Sequence, residues 1–297
     1  MFQQLGDRDV WALSYKTAVE LMRNALVEHG EGTLHAPPRW RLDAGDGELV
    51  FTAGTAAEAG VSGVRIYETF PTTSDDHTAL TAVWDAGDGR FHGSIVGHAI
   101  GILRTGGLGG VAVDLLSRDD ADTVAVLGSG PHARAQLEAT AVVRDIDAVA
   151  VYSPTATNRE TFARTVDDRL SAPVVAVERP ETAVDGADVV LCATDSTTAV
   201  FETDWLAPGA HVTTLGQKRR DSHEIPADLS SSVDVVVTDS LVQMAEIDDP
   251  VVEPTAELGA VVVGDEVGRS SDDEITLYCS VGLAGTEVVL ASELLKN

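Results

Sequence analysis

Residues 123–143 read TVAVLGSGPHARAQLEATAVV. A short apolar run leads into two closely spaced glycines, and apolar residues then recur at helical spacing. The stretch predicts a buried strand, a tight turn and a helix. Gly128, Gly130 and Ala133 set out the pattern G-x-G-x-x-A across that turn. The first glycine permits the sharp reversal, the second lets a pyrophosphate come up to the backbone, and the alanine lets helix and strand pack closely. N–H groups of the first helical turn then face the phosphates, and the helix dipole favours negative charge there. Pro131 and His132 lie inside the same turn and are assigned to the same site, His132 as a residue that shapes it. This stretch predicts a dinucleotide cradle.

Reading downstream, apolar strand-like runs alternate with helical patterns: AVAVYS, TNRETFARTVDDRL, VVAVE, ADVVLCAT, HVTTLG and VDVVVTD. That rhythm predicts a parallel sheet covered by helices on both faces. The fold class is therefore α/β, with a doubly wound Rossmann domain over 116–277. The carboxylate that usually binds the ribose hydroxyls of NAD stands at the end of the second strand. Here that strand ends Tyr152, Ser153, Pro154, Thr155, and Arg159 follows, able to pair with a 2′-phosphate. Ser153 and Arg159 are assigned to the cofactor, NAD or NADP, with NADP favoured. The structural alternative for Arg159 is an exposed helix arginine.

Upstream, apolar residues at helical spacing run from Asp9 to His29 and stop at Gly30 and Gly32. Short strand-like segments follow, RWRLD, ELVFTAG, GVRIYETF, LTAVWD and FHGSIVGH, with AGDG and DAGDG as hairpin-type turns between them. Residues 1–115 thus predict an α+β domain, linked onward by a glycine-interrupted apolar helix over Ile100–Leu116. A C-terminal helix over 278–297 is expected to return to it and complete it.

Forty-eight acidic residues against 20 basic ones give a formal charge of -28, yet 44% of residues are hydrophobic. That combination describes a folded chain rather than an acidic disordered tail. A surface this negative repels phosphate backbones and anionic membranes, so neither nucleic acid nor a membrane is an expected partner. It also suits a high-salt cytoplasm, where screening shortens self-repulsion to a few ångströms at about 1 M salt. No secretory signal pattern opens the sequence and no run of 18 apolar residues occurs, so the expected location is cytoplasmic. Cys192 and Cys279 are too few for a disulfide framework, and no spacing of His, Asp or Glu suggests a metal.

Several segments together resemble the ornithine cyclodeaminase and μ-crystallin family, which also includes archaeal alanine dehydrogenases and ketimine reductases. They are HGEGTLHAPPR, GVRIYETFP, ILRTGGLGGVAVDLL, AVLGSGPHARAQLEA, TDWLAPGAHVTTLG and GRSSDDEITLYCSVGLA, in family order across nearly the whole chain. The resemblance implies a homodimer whose N-terminal domain makes the dimer interface and most of the substrate pocket. It implies hydride exchange between a nicotinamide and the α-carbon of an amino acid, through an imine. Arg39 and Arg104 fall on the positions that bind the substrate carboxylate, for which a guanidinium fork suits two parallel hydrogen bonds. Thr194 and Ser196 fall near the nicotinamide; capping of the following turn is their structural alternative.

The sequence departs from the family at two catalytic positions. The family lysine of the G-V-K stretch is Arg65 here, and arginine cannot give up its proton at neutral pH. The family aspartate after the HVTTLG-type strand falls, without a gap, on Lys218, with Asp221 three residues further on. Arg65 and Lys218 are therefore the catalytic candidates. Lys218 either supplies a titratable amine, or joins Arg39, Arg65 and Arg104 in binding a substrate with more than one anionic group. A third reading makes KRR a solvated loop that neutralises nearby acids. His77, His98 and His223 are further proton carriers to consider.

The sequence thus predicts an NAD(P)-dependent oxidoreductase of a small amino, imino or keto acid. Two alternatives stay open: conversion of ornithine to proline and ammonia with bound NAD, and a binding protein that keeps the dinucleotide and a small ligand without turnover.

Overall fold

The computed structural model describes residues 3–71, 78–167 and 169–296. The glycine-rich stretch folds as strand Thr123–Leu127, a turn, and helix Pro131–Val143. Around that strand an eight-stranded sheet is built, every neighbouring pair of it parallel. Val174–Ala176 and Ala148–Tyr152 lie to one side of it. Val189–Cys192, His211–Thr214, Thr276–Cys279, Val235–Thr238 and Ala256–Glu257 follow in that order on the other. The chain order reverses between Thr123–Leu127 and Val189–Cys192. At such a switch point a crevice opens beyond the carboxyl ends of the strands.

The second sheet has seven strands. Its path runs Gln3–Gly6, Phe91–Val96, Leu80–Asp85, Val61–Glu68, Glu48–Ala56 and Leu34–His35, and Trp40–Asp43 also pairs with Glu48–Ala56. Burial alternates along Glu48–Ala56 and Val61–Glu68, as expected of strands with one covered face. The cover is helix Thr286–Leu295, which packs against Val61–Glu68, Leu80–Asp85 and Phe91–Val96. Gly54 and Gly63 allow this close approach, because a Cβ on either would collide with backbone and, at Gly63, also with Val288.

Helix Ala99–Leu116 passes between the sheets and packs on helices Tyr15–Gly30 and Pro131–Val143. By length and composition it could cross a membrane, but most of it is buried inside the protein. Its glycines have a packing cause: side chains at Gly107 and Gly109 would run into Ala18 with Met22, and into Gln136.

Three expectations need correction. The first helix does not run unbroken from Asp9 to His29. A short helix Asp7–Val10 precedes Tyr15–Gly30, which starts afresh at Ser14, whose hydroxyl accepts from Thr17 N–H at 3.0 Å. The final helix does not occupy 278 onward: Tyr278 and Cys279 end the buried strand Thr276–Cys279, and the helix starts at Thr286. Two strands, Gln3–Gly6 and Leu34–His35, were not expected, because each is short and completed by pairing with a distant partner.

His211, fully buried in the parallel sheet, is held between the hydroxyls of Thr276 at 2.9 Å and Thr213 at 3.0 Å. Burial, then Arg269 and Arg144, push its pKa from 6.5 down to about 3. Between these values the unfolded chain binds the extra proton. The ring's contribution to stability is complete above pH 6.5 and is lost as the pH falls toward 3. The stability gap between the wild type and His211→Asn should therefore shrink by about 1.4 kcal/mol per pH unit through that window. The His211 ring should keep its neutral NMR signature below pH 6.5; a midpoint near 6.5 would refute the assignment.

Candidate functional site

A cleft of about 1130 Å³ opens beyond the carboxyl ends of the parallel strands and is closed on its far side by the N-terminal sheet. From the parallel sheet come Thr194, Gly216, Lys218 and Ser280; from the other side come Arg39, Arg65 and Arg104. His132 faces the cleft from the start of helix Pro131–Val143.

The turn beneath His132 fits a dinucleotide phosphate. Gly128 has φ +121, and a Cβ there would collide with the Ala193 carbonyl of the neighbouring strand end. Gly130 has φ −84, and a Cβ there would meet nothing within 4 Å. No internal contact demands glycine at 130, so the bare backbone leaves room for a group from outside the chain. No side chain caps the helix at Gly130, and its first-turn N–H groups stay open to an anion. Ala133 is fully buried, while Ser129 and Ser153 join through their hydroxyls at 3.1 Å. The Arg159 guanidinium lies over the same strand end and donates to the Ser153 and Pro154 carbonyls at 3.1 and 3.4 Å.

Opposite the turn, Arg65 lies on the covered face of strand Val61–Glu68, flanked in register by the buried Thr52 and Thr81. Its guanidinium carbon sits 4.6 Å from the centroid of the Tyr67 ring, and its terminal nitrogen lies against Gly101. Arg104, projecting from helix Ala99–Leu116, donates to Glu287 Oε1, and Arg65 approaches the same oxygen at 3.9 Å. Burial by itself would raise the Glu287 pKa; Arg104 and then Arg65 outweigh it and hold the carboxylate ionised. Arg39 donates to the carbonyls of Val281 and Gly282. That loop is fixed from behind by the buried Asp239, which accepts from the N–H groups of Val281, Gly282 and Leu283 at 2.8–2.9 Å.

The KRR cluster splits. Lys218 turns inward, 3% exposed, and donates from Nζ to the Gly216 carbonyl at 2.8 Å. Burial lowers its pKa, opposed by Cys279, Glu224 and Asp239. Arg219 and Arg220 turn outward and pair with Asp221 and Asp249. Asp221 is therefore a surface partner of Arg219, outside the cleft lining.

Thr194 reaches the cleft, but its hydroxyl donates to Glu224 at 2.8 Å. Ser196 does not line the cleft: its hydroxyl donates to the Thr198 carbonyl at 2.6 Å, a turn-capping role. His98 lines the cleft, and its buried Nε2 has no partner among the described residues. His223 bonds the Ile225 carbonyl through Nδ1, and His77 lies outside the described residues. Desolvation first, then the charges of Arg104 and Arg65, lower the His132 pKa to about 4, so the ring is neutral at pH 7. Cys192 and Cys279 are fully buried, and no cluster of His, Cys, Asp or Glu suited to a metal occurs among the described residues.

Three buried carboxylates organise this site without having been singled out from sequence. Glu224 accepts from the N–H groups of Thr194, Leu215 and Gly216 and from the hydroxyls of Thr194 and Thr214. It ties together the loops that leave two adjacent strands. Asp239 does this for the loop under Arg39, and Glu287 for the two other arginines. The one sequence signal was Glu287, one of two acids, with Glu293, in a largely apolar helix, AGTEVVLASELL.

Comparison with known proteins places this geometry in context. The sequence profile of the ornithine cyclodeaminase/mu-crystallin family matches residues 8–296. A Delta(1)-pyrroline-2-carboxylate reductase of Bacillus cereus is 33% identical over 209 residues, which cover 67% of this chain and 64% of that relative's length. An alanine dehydrogenase of Archaeoglobus fulgidus is 27% identical over 298 residues, 96% of this chain and 91% of that protein. The structure of a Thermococcus litoralis Delta(1)-pyrroline-2-carboxylate reductase in complex with NADH and L-proline superposes with a TM-score of 0.90. It is 26% identical and covers 100% of this chain and 97% of that one.

Proposed function

The chain belongs to the ornithine cyclodeaminase/mu-crystallin family, and from that premise we propose that it is an oxidoreductase of small amino or imino acids that works with a nicotinamide dinucleotide. The observation that carries this reading is the pair of buried guanidiniums, Arg104 and Arg65, set in one cleft with His132, which stands at the open helix start just after the glycine-rich turn. A nicotinamide cofactor, when bound, supplies or takes up the hydride. Gly128, Gly130, Pro131, His132 and Ala133 would hold its pyrophosphate, with Ser153 and Arg159 at the adenosine end.

The chain's own residues then do the remaining work. Arg104 and Arg39 bind the substrate carboxylate, because guanidiniums keep their charge when buried and present fixed forks. Glu287 and the loop 281–283 aim those forks, which fixes the α-carbon in the cleft, the proximity part of the rate. Lys218 carries the titratable amine on the opposite wall. Its lowered pKa lets it release a proton more readily than an exposed lysine, as a group serving the substrate nitrogen or an attacking water must. Arg65 cannot perform that task and acts as an anion site.

The reading extends to coenzyme choice and assembly. Absence of an acid from Ser153 to Arg159, with Arg159 seated at that strand end, supports NADP(H) over NAD(H). A homodimer is supported by the face of the N-terminal sheet turned away from helix Thr286–Leu295. There Trp40, 60% exposed, lies 4.5 Å between ring centroids from Phe51.

Absorbance of the reduced nicotinamide tests the reading, in molar KCl because of the charge of -28. Oxidation of NADPH, faster than NADH, is expected with cyclic imino acids or with 2-oxo acids plus ammonium. Proline formed from ornithine without net cofactor change would instead make it a cyclodeaminase. Tight coenzyme binding without turnover on a broad panel would make it a binding protein.

A further inference from the structure

We propose, resting on the coenzyme reading above, that His132 makes binding in this cleft proton-linked. Its ring takes up a proton when the coenzyme phosphates settle on its own helix start and a carboxylate settles on Arg104. Both ligands are therefore held more tightly as the pH falls. The residue stands where the two halves of the cleft meet. Its backbone lies in the first turn of helix Pro131–Val143, which no side chain caps, so the N–H groups there are open to an anion. Its side chain is exposed to the cleft that Arg104 and Arg65 line from the other side. Among the described residues no hydrogen bond ties the ring down.

An imidazole in that place is kept neutral by its surroundings. The cleft walls strip it of bulk water, and the guanidiniums of Arg104 and then Arg65 repel an imidazolium; Asp195, which follows strand Val189–Cys192, opposes them. The helix start adds positive potential of its own. Together they hold the ring's pKa at about 4, against 6.5 for a free one. Lys218 and His98 line the same cleft, while Arg134, on the helix of His132, is turned away to the Thr165 hydroxyl.

Anions reverse the balance. Phosphates at the helix start place negative charge beside the ring, and a carboxylate on Arg104 cancels charge that repels an imidazolium. An opposite charge within about 4–6 Å favours the charged form by about one to three pH units. A ring with greater proton affinity in the complex than in the free protein strengthens binding below its raised pKa, and the advantage is lost above it.

The test uses NAD+, whose phosphates keep their charge across the range, and formate, a carboxylate that protonates below it. Titration calorimetry on the intact protein, in two buffers of different ionisation heat, should show proton uptake with NAD+ at pH 5.5. Uptake should be greater with formate present and close to none at pH 8. Affinity for NAD+ should be about fivefold higher at pH 5.5 than at pH 8. His132→Gln should flatten that profile, and His98→Gln should keep it. The wild type answers separately by NMR, without any variant. The His132 imidazole should stay neutral down to pH 5 in the free protein, and with NAD+ and formate bound its midpoint should lie about one pH unit or more higher.

An affinity independent of pH, uptake unchanged by formate, or an unmoved His132 signal would overturn the proposal. So would a pH dependence that survives His132→Gln or disappears in His98→Gln. The expected uptake without turnover of any amino, imino or keto acid would retain the proton link and remove the oxidoreductase reading. No binding of NAD+ at any pH would remove both.

Discussion

Replacing Arg104 with methionine should lower kcat/KM roughly a thousandfold, about 4 kcal/mol of lost binding to the reacting complex. The side chain is buried, its charge is shared with Glu287, and it lines the cleft. Coenzyme affinity, read by quenching of protein fluorescence, should stay within about threefold, since the phosphate turn keeps its N–H groups and dipole. The substitution also strands a buried carboxylate, and losing one partner of a buried pair costs about 3–5 kcal/mol. The double change Arg104→Met with Glu287→Met should recover most of that stability and none of the activity. Wild-type activity in Arg104→Met would remove the arginine from substrate binding. Recovery of activity in the double variant would mean that Glu287, rather than the guanidinium, was the harmful group.

Glu224→Ala is expected to destabilise the fold by about 3–5 kcal/mol, measured as the shift in urea unfolding free energy at constant m-value. Three backbone N–H groups and two hydroxyls would lose one common acceptor in a fully buried place. Each orphaned group costs about 1–3 kcal/mol, less where water enters. Glu224→Gln should lose nearly as much, because its amide turns donors toward donors. The loops of Thr194 and Gly216 would relax together, so coenzyme binding should weaken in both variants. A change below about 1 kcal/mol would show that the loops hold their shape without Glu224.

These two residues mark the limits of what the sequence made legible. The phosphate turn could be read because each of its requirements is local: a glycine where the backbone crosses positive φ, a second where an outside group approaches, a small residue in the helix. The strands around it declared themselves by unbroken apolar runs, because a parallel sheet buries both faces. Thr276–Cys279 escaped notice because four residues carry no periodicity, and what makes them a strand is the slot between His211–Thr214 and Val235–Thr238. Arg39, Arg65, Arg104 and Lys218 were found through a family pattern, but that Lys218 turns inward while Arg219 and Arg220 turn out depends on loop geometry. Glu224, Asp239 and Glu287 were missed for a common reason. Each organises residues far away in the chain, and in a sequence with 48 acids only the largely apolar surroundings of Glu287 set any of the three apart.

That late-arriving strand has a bearing on how the protein is made. Val235–Thr238 and Ala256–Glu257 are synthesised before Thr276–Cys279, yet in the finished sheet they lie outside it. While the chain emerges from a ribosome, the half-built sheet either keeps a gap at its centre or leaves those two outer strands undocked. Closure of that gap also delivers the loop 281–283 and Glu287 to the arginines, so nascent chains short of this point hold their cationic cleft unassembled.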